Sequence, residues 1–73
     1  MTRLSQIKPK EAAKSLKRLG FRQSRISGSH LRLVNENGLG VTIPLHNKPL
    51  PKGTLKSILK QADITLDQLL KNL

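Results

Sequence analysis

At 73 residues the chain can bury one small core, so a single domain over residues 1–73 is expected; without cysteine it has no disulfide framework, and two histidines with four scattered carboxylates offer no donor set for a metal or other cofactor. Fourteen lysines and arginines against four acidic residues give a formal charge of +10, which points to a nucleic acid, or an acidic protein that imitates one, as partner. No stretch of about eighteen apolar residues occurs, and Met1-Thr2-Arg3-Leu4-Ser5-Gln6 leads into lysines without the apolar run of a signal peptide, so no membrane contact and a cytoplasmic location are expected.

Pro9 suits the first turn of a helix reaching about residue 19, with Ala12, Leu16 and Leu19 on its inner side and Gly20 placed to end it. Lys10, Lys14 and Lys17 form a basic stripe beside the apolar one. A first strand follows over about 21–27, anchored by Phe21, and Gly28 separates it from a second strand over about 29–35. In that second strand Ser29, Leu31 and Leu33 project to one face and His30, Arg32 and Val34 to the other. The leucines mark the buried side, so His30 faces outward.

A third strand over about 39–45 is reached through Glu36-Asn37-Gly38, a strong hairpin signal. A two-residue Asn37-Gly38 turn would set Leu33 against Thr42; a three-residue loop with Gly38 left-handed pairs Leu33 with Val41 and Leu31 with Ile43, and is preferred because apolar residues then meet. In that register His30 lies opposite Pro44, and Gly40, Thr42, Pro44 and His46 occupy the outward face, bringing both histidines to one side. A second helix over about 52–62 is supported by Leu55, Ile58, Leu59 and Ala62, with Lys52, Lys56 and Lys60 outside. Thr65 and Gln68 form a capping box for a last helix whose leucine stripe either closes over this core or docks on another chain.

An outward imidazole on so basic a chain puts a proton-moving group where a polyanion would land, which suggests ribonuclease chemistry. RNA carries its own nucleophile, the 2′-hydroxyl; the enzyme must supply a base, positive charge and in-line geometry. Imidazole, with an ordinary pKa of about 6.5, suits the base. Gly28 lets the backbone approach a phosphate, Ser29 could donate a hydrogen bond although the alternation turns its side chain inward, and Lys52 and Lys56 are candidate phosphate clamps. Arg32 and Lys48 serve either substrate or solubility, and His46 is expected to support the site or hold its loop rather than act directly. With Phe21 the only aromatic residue, recognition would go through phosphates and shape, not base stacking.

The order α-β-β-β-α plus a short last helix is an α+β arrangement that resembles the double-stranded RNA-binding domain, a three-stranded antiparallel sheet backed by two helices. Gly20-Phe21, Ser27-Gly28-Ser29-His30, Val41-Thr42-Ile43-Pro44, His46 and Gly53-Thr54-Leu55-Lys56-Ser57-Ile58-Leu59-Lys60-Gln61-Ala62, in that order, are similar to the HicA (YcfA-like) family of toxins. The chain departs from that pattern at Leu31, where a second histidine or polar residue is frequent, and at Asp63, where the second helix often ends in glycine. The resemblance implies a metal-independent endoribonuclease that cuts messenger RNA with His30 as catalytic residue and is held inactive by a HicB-type antitoxin. Two other classes stay open: a non-catalytic double-stranded RNA binder, which would tolerate loss of His30, and a helix-turn-helix DNA reader built from 55–62 and 66–73.

Overall fold

Pro9 opens a helix because its fixed φ and missing N–H cost nothing in the first turn, and Glu11 strengthens that start by accepting a hydrogen bond from the Lys8 backbone N–H at 2.9 Å. The helix ends in a complete Schellman motif: Gly20 takes φ +103°, its N–H reaches the Lys17 carbonyl, and the Phe21 N–H reaches that of Leu16. In the computed structural model, which describes residues 7–73, this is α1 (Pro9–Arg18). The reading of residues 1–6 as lacking a signal segment lies outside the described residues.

Three antiparallel strands follow in spatial order β1-β2-β3: β1 (Arg22–Ser27), β2 (His30–Val34) and β3 (Gly40–Pro44). The β2–β3 register is the one that apolar pairing predicts, with Leu31 opposite Ile43, Leu33 opposite Val41 and His30 opposite Pro44. The three-residue loop is also as expected, with Gly38 at φ +85°. Asn35 holds that loop by accepting from the backbone N–H groups of Asn37 and Leu39 at 3.0 and 2.9 Å, the usual way a side-chain amide replaces strand partners in a turn. The strands are shorter than the sequence suggests. Ser29 is a turn residue rather than the first residue of β2, because Ser27 pairs with His30 across a two-residue Gly28-Ser29 turn in which Gly28 has φ +59°. Alternation therefore does not set the direction of the Ser29 side chain; its carbonyl accepts from the Leu45 N–H.

The last two elements are α2 (Lys52–Ala62) and α3 (Leu66–Lys71). Helices cover one face of the sheet, and Ile7, Leu16, Leu33, Val41, Ile43, Leu50, Leu55, Ile58 and Leu69 are sealed between the layers. α3 closes on this domain's own core: Leu69 is buried, and the buried Ser15 hydroxyl of α1 donates to the Leu69 carbonyl at 2.7 Å. The Thr65–Gln68 capping box forms in both directions. Ile26 of the edge strand β1, although paired with the buried Leu31, is 54% exposed. None of the described helices is long and apolar enough to cross a membrane.

α2 also ends in a Schellman motif, but Asp63 holds the left-handed position at φ 56°, with Asp63 N–H to the Lys60 carbonyl and Ile64 N–H to that of Leu59. A side chain in this conformation is strained where glycine is not. Asp63→Gly is therefore expected to stabilise the fold by about 0.5–1 kcal/mol after the glycine's extra unfolded-state freedom is counted. Urea unfolding should show a higher midpoint with unchanged slope; a lower midpoint would mean that the carboxylate makes an interaction worth more than the strain.

Candidate functional site

The face of the sheet turned away from the helices is the counterpart of the leucine pattern. Because Leu31 and Leu33 are buried, His30 and Arg32 stand on the open face, exposed. The pairing brings Ser27 opposite His30 and Arg25 opposite Arg32 on β1, and Thr42 opposite Arg32 on β3. These five side chains, Arg25, Ser27, His30, Arg32 and Thr42, line a shallow hollow of about 110 Å³.

The hollow contains two guanidinium groups, one imidazole, two hydroxyls and no carboxylate. Like charges directly across two strands repel, and nothing acidic offsets Arg25 and Arg32 there. The four acidic residues are engaged or placed elsewhere: Glu11 at the start of α1, Glu36 in the hairpin loop, Asp63 at the end of α2, and Asp67 with Lys71 in the only ion pair among the described residues. Arg32 is anchored, donating from Nη1 to Thr42 Oγ1 at 3.1 Å. Such a hollow offers an anion several donors around a titratable imidazole.

Of the residues singled out from sequence, the structure brings His30 and Arg32 together. Gly28 and Ser29 form the adjacent turn and are exposed, but neither lines the hollow. Lys48 sits in the exposed loop after β3, and Lys52 and Lys56 lie on the exposed side of α2; none of the three lines it either. The expectation that His46 shares the face of His30 is corrected. β3 ends at Pro44, so the strand alternation does not reach His46, which instead lines a separate hollow with Lys8, Lys10, Glu11 and Asn47 beside α1. Arg25 and Ser27 join the hollow only in the structure. Their signal was the Gly28-Ser29 pair itself, since a two-residue turn fixes Ser27 against His30 and Arg25 against Arg32.

A larger hollow, about 420 Å³, lies between α1 and the sheet and combines an apolar floor of Ala13, Leu31 and Leu45 with Lys10, Lys14, Lys17 and Arg18. Among the described residues no three His, Asp or Glu side chains come together as a metal-binding group. Because His30 is exposed and contributes nothing to the core, His30→Ala is expected to change unfolding free energy by no more than about 0.5 kcal/mol. Chemical denaturation checks this; a larger loss would mean that His30 is a structural residue.

A family model described as the HicA toxin of bacterial toxin-antitoxin matches residues 9–64, more than half of the chain. The match runs from the start of α1 through the end of α2 and includes the hollow around His30. A comparison with curated proteins finds no match.

Proposed function

The chain belongs to the HicA toxin family of bacterial toxin-antitoxin systems, and on that premise we propose that it is an endoribonuclease that cuts messenger RNA without a metal ion. The observation that carries this reading is the hollow on the open sheet face, where His30 lies among Arg25, Ser27, Arg32 and Thr42 with no carboxylate beside it. His30 is the general base. It takes the proton of a ribose 2′-hydroxyl; that oxygen attacks the adjacent phosphorus; the bond from phosphorus to the 5′-oxygen breaks, and the leaving oxygen acquires a proton from water. The negative charge that gathers on the phosphorane is offset by the positive field of the hollow, to which Arg25 and Arg32 contribute.

The exposed lysines of α2, Lys52 and Lys56, together with Lys48, attract RNA at longer range and contribute contacts to phosphates away from the cut. Gly28 and Ser29 keep the turn beside His30 narrow, so a phosphate can approach its backbone. An acidic antitoxin of the HicB type restrains the enzyme by occupying the same basic surface, which makes its association fast and sensitive to salt. A helix-turn-helix role for the C-terminal region loses its support, because α3 has six residues and spends its leucines on α1 and the core.

Cleavage of a single-stranded RNA should survive EDTA and leave a 2′,3′-cyclic phosphate, or its hydrolysed form, and a 5′-hydroxyl. His30→Ala should slow it by about 10²- to 10⁴-fold, and a 2′-deoxyribose at the cut site should block it. Full activity of the folded His30→Ala protein would remove His30 from the chemistry; RNA binding without cleavage by either protein would favour a non-catalytic RNA-binding module.

A further inference from the structure

Gly40 explains how Arg32 comes to lie where it does. Gly40 pairs with Val34 on β2, two residues before Thr42 on the same outward side of β3. A Cβ built on Gly40 would fall on the Nη2 and Cζ of Arg32, and its backbone is not in the left-handed region that would itself demand glycine. The guanidinium thus occupies the space over Gly40, with Nη1 donating to Thr42 Oγ1 at 3.1 Å. Thr42 is held in turn: its backbone N–H, on the free edge of β3, donates to Gln61 Oε1 of α2 at 3.1 Å, and Gln61 Nε2 donates to Ser57 Oγ. Covering an edge N–H in this way stiffens the strand that carries the anchor.

One of the five N–H donors of the guanidinium is spent on Thr42, and no acidic residue lines the hollow. Arg25 faces it from β1. Arg32 is held on the β3 side and Arg25 lines the same hollow from β1 with no carboxylate between them, so the two guanidinium groups can flank a single anion. They stand two residues further along the sheet from the Ser27–His30 pair, as the next pair on the same face, so the anion they receive is a neighbour of the group that His30 acts on.

We propose that Arg25 and Arg32 form a binding subsite for a backbone phosphate adjacent to the scissile one, and that Gly40 is the positioning residue that lets the Arg32 guanidinium lie in it. This rests on the reading of the chain as an RNA-cleaving toxin, and adds to it the part of the surface that fixes the RNA register. Replacing Gly40 by alanine should push the guanidinium off the sheet without disturbing the backbone, because what it meets is the far end of a flexible side chain.

The test is binding of a single-stranded RNA oligonucleotide with 2′-O-methyl riboses, measured across a salt series. The probe has no free 2′-hydroxyl and cannot be cut, so the result does not depend on whether His30 catalyses; a protein that binds as expected yet cleaves no RNA would leave the subsite standing and overturn only the nuclease reading. Arg32→Ala should weaken binding roughly tenfold and flatten the slope of log affinity against log salt by about 0.7, one phosphate contact on a single strand. Gly40→Ala should weaken it several-fold with the same flattening, and should add less than about twofold when Arg32 is already alanine. Thr42→Val, which removes only the anchoring hydroxyl, should act in the same direction. Wild-type affinity in both Gly40→Ala and Thr42→Val, or a Gly40→Ala loss that persists at full size in the Arg32→Ala background, would overturn the proposal.

Discussion

Everything on the open face follows from the way β2 is pinned on its other face. Leu31 and Leu33 are driven into the core, where each is paired across the strand with an equally buried partner, Ile43 and Val41. Burial of a leucine side chain is worth about 1.5–3 kcal/mol. A register slip of one residue would turn both leucines to solvent and bury His30 and Arg32, an exchange that a 73-residue domain with one small core cannot sustain. The core thus sets the chemistry of the surface. His30 and Arg32 face outward with a certainty that no contact of their own supplies.

The second constraint is electrostatic. With four acidic residues against fourteen basic ones, the chain cannot neutralise its surface internally, and the four are spent at helix ends and in a loop. Glu11 serves the start of α1, Asp67 pairs with Lys71, Asp63 ends α2, and Glu36 is in the hairpin loop. Two cationic hollows result, the sheet face around His30 and the groove between α1 and the sheet, where Lys10, Lys14, Lys17 and Arg18 surround an apolar floor; the α2 lysines lie outside both. The first suits a phosphate backbone, since it is shallow, polar and centred on an imidazole. The second has the larger apolar component and no titratable group near neutrality.

Much of this was legible in the sequence where a local rule and the global pattern agreed. The three-residue loop at Gly38, the β2–β3 register, the outward direction of His30, the Thr65–Gln68 capping box and the stop at Gly20 each followed from a short-range signal that tertiary packing reinforces. The failures have equally local causes. Strand parity does not carry past Pro44 to His46, because the pairing with β2 ends there and the chain turns toward α1. That Lys52 and Lys56 do not line the hollow is a tertiary fact, since α2 sits in the layer behind the sheet. Arg25 was hidden because β1 is an irregular edge strand with a register shift between Gln23 and Arg25 and a fully exposed pattern, which gives no periodicity to read. The role of Gly40 lies in a cross-strand contact with Arg32 and has no signature in either residue's neighbours along the chain.

The central claim is that RNA is handled on the open sheet face and not on the lysine stripe of α1, and the most direct measurement is a map of backbone amide and side-chain NMR shifts as a non-cleavable single-stranded RNA is added to the labelled protein. The account predicts that the largest changes fall on Arg25, Ser27, His30, Arg32 and Thr42, together with the turn at Gly28 and Ser29. Changes confined to Lys10, Lys14 and Lys17 of α1, with the His30 ring signals unmoved at saturation, would contradict it.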